Sequence, residues 1–443
     1  MTTSPRVRTP VAALPATRPP LVTRPLMLRL VTVVGASASF FLLLSVVPLY
    51  ATASGGDAGL ATGALMLATV CGELATPRLV ARHGYRRALA AGLVLLGAPA
   101  LLVTVSGSMA WIVAVCSLRG MGFALTVVAG GALTASLIPA ERRGEGLALT
   151  GLVSGVPSLL ALPLGVWLAG RVGYLPVCVA GGLPALVAVV AVVGLPGRGP
   201  AAGGADDQGG AAVAAGRPVP PQPGDGPGAA AGARAWRPGR RSAVRRSWRR
   251  LTSGRSRAGA PGGVVAGLRD GALVRPAAVF TVTALGAGIV VTFLPLAVPA
   301  AASGVLAAAL FVQPAASTAA RWFAGRAGDR YGAGRLVLPG LLLSAAGLLL
   351  TAATGSTAAV LCGVTVFGAG FGVMQNATLS LMYARVSAAG YGTVSALWNV
   401  GYDAGMGAGA VGFGGLAALT GYPGAFALTA AAMLLPLGLA RRP

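Results

Sequence analysis

Apolar stretches of bilayer-spanning length recur along the 443-residue chain, and no other feature constrains its fold as tightly. A crossing helix needs about 20 mostly apolar residues. In hydrocarbon, only helices and closed barrels satisfy their own backbone polar groups. Such stretches fall near 27–50, 58–77, 88–106, 109–137, 146–170 and 175–195, then near 275–299, 303–322, 335–354, 358–384, 391–415 and 424–440. The expectation is an all-α membrane protein with 12 transmembrane helices in two six-helix halves. Composition agrees, with 55% hydrophobic residues, 10% charged residues and a mean hydropathy of +0.77. Soluble domains carry roughly 25% charged residues, so a soluble enzyme is excluded.

The formal net charge is nevertheless +24, from 34 basic and 10 acidic residues, and every basic residue is arginine. Such a balance often marks nucleic-acid binding, but the arginines do not form one patch. With the N-terminus placed inside, they fall in 6–29, 78–87, 142–143, 196–274, 326–335, 385 and 441–442, all on one face. Arg171 alone lies on the other face, Arg119 lies deep within the fourth span, and Arg321 sits at the end of the eighth. Alternation of this kind follows the positive-inside rule. It predicts a multi-pass protein of the cytoplasmic membrane with both termini cytoplasmic, attracted to anionic inner-leaflet lipids and not to nucleic acid.

Four segments follow: a disordered tail at 1–26, a first bundle at 27–195, an Arg/Gly/Pro-rich linker at 196–274 and a second bundle at 275–440. The linker is too poor in apolar residues to build a core. Within it, Ser242 to Leu251 spaces Val244, Trp248 and Leu251 as an interfacial helix would, although a solvated basic linker is the heavier reading. Cys71, Cys116, Cys178 and Cys362 stand singly in apolar runs, and His83 is the sole histidine, so no metal, redox centre or cofactor is expected. Without lysine there is no P-loop to bind ATP.

The halves align at an offset of 248 residues. Arg78, Arg82, Gly84 and Arg87 match Arg326, Arg330, Gly332 and Arg335; Gly120, Gly122 and Phe123 match Gly368, Gly370 and Phe371; Gly173–Tyr174 matches Gly421–Tyr422. Six spans per half give the repeats one membrane orientation, an arrangement found in transporters whose site lies between two rocking halves.

At these loops the chain resembles the major facilitator superfamily. The segment GRAGDRYGAGR, Gly325 to Arg335, is similar to the family's cytoplasmic loop signature. The first-half copy, PRLVARHGYRR from Pro77 to Arg87, keeps the basic residues and Gly84 but has Ala81 where the signature has Asp. Arg119 to Gly122 resembles the buried-arginine motif of the drug/proton antiporters, and Gly151 to Pro157 resembles a degraded copy of their Gly-Pro motif.

Physical chemistry then points to individual residues. Asp329, in a tight turn with Arg330, Gly332 and Gly334, is positioned to pair with Arg326 or Arg335. With Gly325 and the first-half residues Arg78, Arg82, Gly84 and Arg87 it would form a latch between the halves. Asp403 lies twelve residues after Tyr391, about 18 Å along a helix and so near the midplane. Charge burial in hydrocarbon is costly, which makes Asp403 a candidate to carry a coupling proton or to meet a cationic substrate group. Asn399 shares its face. Arg119, at similar depth, would bind an anionic substrate or pair with Asp403 or Glu73. Glu73, five residues from Arg78, is expected to snorkel to the inner surface. Gln375 and Asn376 either line the cavity or join helices.

The expected function is secondary active transport of a small organic molecule by a monomer, through alternating access and with proton-coupled efflux. The alternatives are uptake of a sugar-like or organic-acid nutrient and a non-transporting membrane sensor. No cluster of catalytic groups suggests an enzyme.

Overall fold

Short polar residues cap five of the helices. The Thr23 hydroxyl accepts from Leu26 N, the Asp57 carboxylate from Leu60 N at 2.7 Å, the Ser108 hydroxyl from Trp111 N, the Asp270 carboxylate from Ala272 N and the Ser356 hydroxyl from Ala359 N. Each satisfies a backbone N–H that the first turn leaves open, worth about 1 kcal/mol. The computed structural model describes residues 22–138, 143–196, 267–298, 303–386 and 391–438. Among these residues the regular elements are all helical. They are α1 (Arg24–Leu44), α2 (Val46–Ala53), α3 (Ala58–Leu102), α4 (Met109–Leu137), α5 (Arg143–Val172) and α6 (Tyr174–Val192), then α7 (Gly271–Ala297), α8 (Ser303–Tyr331), α9 (Gly334–Thr351), α10 (Thr357–Tyr383) and α11 (Tyr391–Ala432).

Among the described residues, nine helical segments are long and apolar enough to cross a bilayer. Two are too long for one crossing. The 45 residues of α3 and the 42 of α11 would each exceed 60 Å if straight, at ~1.5 Å per residue. Each is broken by one glycine, α3 at Gly84 (φ 79°, ψ 166°) and α11 at Gly421 (φ 70°, ψ 168°). Helix α8 is not among the nine; it carries Gln313, Arg321, Arg326 and Arg330.

The expected loop at 78–87 is helix on both sides of Gly84, because the chain turns on that single residue. Similarly, Asp329 and Arg330 lie in the last turn of α8 and not in a turn. The helix ends at Gly332 (φ 91°), whose N–H donates to Gly328 O at 2.8 Å. The second bundle starts at Gly271, four residues before the expected boundary, because Asp270 caps it. The tail at 1–21, the linker at 197–266 with its 242–251 segment, and the side chain of Asp329 lie outside the described residues.

The repeat is visible in the backbone. Among the described residues five glycines have positive φ, and four of them form the pairs Gly84/Gly332 and Gly173/Gly421, both at the 248-residue offset. Packing repeats as well. A Cβ on Gly120 would collide with the Leu65 carbonyl and one on Gly368 with the Gln313 carbonyl, and Leu65 and Gln313 are themselves 248 residues apart. Gly122 against Leu96 N and Gly370 against Ser344 N repeat the relation. One interhelical geometry has therefore been built twice.

The helices alternate direction. Arg24, Arg78 to Arg87, Arg326 to Arg335 and Arg385 gather at one end, here the arginine end, and Arg171 lies at the far end. The halves are sealed together near the far end. Ser45 Oγ donates to Val291 O at 2.8 Å, and the Thr62 and Thr292 hydroxyls share a hydrogen bond of 3.0 Å. Gly59 meets the Ala410 carbonyl, Gly63 meets Val411, and Gly407 meets the Met66 side chain. A side chain at Gly59 would push α3 and α11 apart, and one at Gly63 or Gly407 would displace the neighbouring Val411 or Met66 side chain. Small residues allow such close approach where water does not drive association.

Candidate functional site

Below this seal, α3 and α11 present the two carboxylates of the membrane interior that belong to the described residues. Glu73 lies seven residues after Met66 and Asp403 lies four before Gly407, so each is on the face its helix turns to the other half. Both are buried, and they interact electrostatically across the seam. The Oε2 atom of Glu73 has no hydrogen-bond partner. The expectation that Glu73 snorkels is thus overturned. Its depth was counted from Arg78 as a loop residue, but α3 remains helical past Arg78 and holds Glu73 against α4, where Gly72 contacts Met121 and Ala124.

Asp403 continues into a group the sequence did not single out. Tyr402 lies within electrostatic range of both Asp403 and Arg321, and Arg321 is the repeat counterpart of Glu73. The Tyr402 ring belongs to an aromatic stack with Phe280 at 5.9 Å, Trp398 at 6.0 Å and Phe371 at 6.0 Å. Phe280 and Trp398 stack most closely, at 4.4 Å. The only signal in the sequence was Trp398 and Tyr402 at i, i+4. Trp398 Nε1 donates to Thr378 Oγ1 at 3.2 Å. Charged and polar groups from α3, α11 and α8 thus lie within electrostatic range of one another, beside an aromatic wall.

The remaining candidates divide. Asn399 is half-buried on α11 next to Trp398. Gln375 Oε1 accepts from Ser317 Oγ at 3.5 Å and so joins α10 to α8. Asn376 faces Gly325, a candidate latch residue, on the same pair of helices. Of the latch arginines, Arg326 lies 3.4 Å above the Trp322 ring and Arg330 lies 5.3 Å from the Tyr331 ring, so aromatic faces are their observed neighbours. Arg78, Arg82, Arg87 and Arg335 are exposed at the arginine end.

Two arginines are buried in the first half, and they differ. Arg29, expected in the cytoplasmic segment, lies inside α1 facing α4. It donates to Gly130 O at 3.1 Å, Thr134 Oγ1 at 3.1 Å, Thr32 Oγ1 at 2.7 Å and Thr126 O at 3.5 Å. Gly130 makes the room: a Cβ there would collide with the guanidinium. Arg119 is only 1% exposed; among the described residues it makes a single bond, from Nη2 to Ser39 O at 3.2 Å, and Nε and Nη1 have no partner. The structure brings neither Asp403 nor Glu73 to it; the titratable groups that interact with it are the thiols of Cys116 and Cys178.

Comparison with known proteins gives the same picture. No curated sequence matches the chain. Among solved structures, the crystal structure of the nucleoside transporter NupG is similar, with a TM-score of 0.61 at 12% identity, over 93% of this chain and 98% of that one. At that identity the likeness speaks for the fold. The family model of the Major Facilitator Superfamily matches residues 29–410. With this coverage, and with the duplicated helical halves described above, the chain belongs to the Major Facilitator Superfamily and is a multi-pass membrane transporter.

Proposed function

We propose that this transporter moves a small organic molecule out across the cytoplasmic membrane by alternating access, coupled to protons. The observation that carries the reading is the Glu73–Asp403 pair, one carboxylate from each half, lying just below the far-end seal. When the halves rock, the seal and the pair move together. A proton held between the carboxylates therefore favours one arrangement of the halves over the other, and that differential affinity is what coupling requires. Arg119 to Gly122 and Gly151 to Pro157, similar to antiporter motifs, support export. The arginines gathered at one end support cytoplasmic termini and a far end that faces outward. Twelve spans result when α1 and α2 are counted as one, α3 and α11 as two each, and α8 as one.

Proteoliposomes with an imposed pH gradient test this. Substrate movement should follow the gradient, collapse when it is dissipated, and lose its pH dependence in Asp403→Asn while the protein stays in the membrane. Unchanged pH dependence in that variant would remove Asp403 from the coupling. Reversing the gradient reads the direction.

A further inference from the structure

We infer that Arg119 is the receptor for a carboxylate on the transported molecule, and that the apolar body of that molecule enters the crevice beside it. A guanidinium does not lose its proton in a protein, so Arg119 is a permanent cation sealed from water. An unpaired charge in such a place costs several kcal/mol. Arg29 shows that the same α1–α4 interface can give every nitrogen of a guanidinium an acceptor. At Arg119 two of the three nitrogens have no acceptor, and the hydroxyl of Ser39, its one partner residue, is buried and unpaired as well.

No carboxylate of the described spans is placed to pair with Arg119. Gly120 packs on Leu65, and Glu73 is eight residues farther along α3, about 12 Å of helix rise. Both contacts, Gly120 on Leu65 and Gly72 on Ala124, lie within the first half, so rocking of the halves leaves Glu73 at that remove. Asp403 faces α3 at the level of Glu73. Asp57 caps α3 beyond the seal. The groups facing Arg119 from its own helix and from α6 are thiols.

In this closed arrangement Arg119 and Cys116 line a narrow crevice, too tight to admit a water molecule, with Leu43, Leu44, Val47 and Leu65 among its apolar walls. Thr62, which also lines it, is the residue that bonds Thr292 across the halves. The crevice therefore lies directly behind the far-end seal, and opening the seal exposes the cation. A short carboxylate with a hydrocarbon body matches both the charge and the walls. This deepens the transporter reading by naming a substrate class, yet it is tested by equilibrium binding, so failure of proton coupling and failure of this site are distinguishable.

The experiment is thermal unfolding of the full-length protein in detergent with hexanoate, hexanamide or chloride. Hexanoate should raise the melting temperature of the wild type progressively above its dissociation constant, while hexanamide and chloride leave it unmoved. Arg119→Met, which fills similar volume without charge, should lose the response. Arg119→Lys, which keeps the charge but not the planar fork, should respond with affinity weakened about tenfold or more. Should Arg119→Met fail to fold, the hexanoate–hexanamide contrast and Arg119→Lys still decide. Equal shifts from hexanoate and hexanamide, no shift from hexanoate, an undiminished response in either variant, or a chloride effect as large as that of hexanoate would each overturn the proposal.

Discussion

Gly173 and Gly421 hold φ, ψ near 80°, 178° and 70°, 168°, a region in which a Cβ clashes with its own backbone and which is left almost wholly to glycine. Nothing lies within 4 Å of the Cβ position at Gly173, so the cost of alanine there is backbone strain alone. Gly173→Ala and Gly421→Ala should each destabilise the protein by about 1–3 kcal/mol, read as a lowered melting temperature. Gly170→Ala, three residues earlier in the helical part of α5 and equally open, should leave stability unchanged or raise it by up to about 1 kcal/mol. Equal effects at Gly170 and Gly173 would refute the strain argument. At this scale the sequence reveals a residue's chemistry but not its company. Asp403 stood out because a carboxylate within an apolar run is costly, whereas Tyr402 and Arg321 gained their significance only from meeting each other. The burial of Arg29 was hidden because it depends on the missing side chain of Gly130, a hundred residues away.

The contact of α3 with α11 is the element on which alternation turns. The α11 backbone approaches Gly59, and the Met66 side chain packs on Gly407, closely enough that a larger residue must displace its neighbour; the Thr62–Thr292 bond lies in the same seal. Gly59→Val and Gly407→Val should weaken the closed far end and favour the state open there. Thr62→Cys in these backgrounds should react several-fold faster with an impermeant thiol reagent than in the parent, and an unchanged rate would mean the seal does not depend on these glycines. Element boundaries were legible where caps are local, as at Asp57 and Ser108. They were misjudged at 78–87 and at Asp329–Arg330, where arginine-rich segments that look like loops are helical. Arginine is a good helix former, so these segments continue the helices, and the breaks are set by single positive-φ glycines.

Across the whole molecule, the net charge of +24 acts as a sorting of ends and not as a ligand patch. If the arginine end is cytoplasmic, an impermeant thiol reagent applied to intact cells should label Ser106→Cys, near the far end of α3, and leave His83→Cys unlabelled until the membrane is permeabilised. The reverse pattern would invert the topology. The sequence by itself determined the helical class, the duplication and the segregation of arginine, because these depend on hydrophobic length, register and charge count, all properties of the chain taken locally. Only the tertiary structure decided that Glu73 and Asp403 face each other and that Arg119 is left without an anion. Both depend on which faces of helices from distant parts of the chain are turned together, and helix rotation about its own axis is set by packing, here by the glycines at which one helix backbone touches the next.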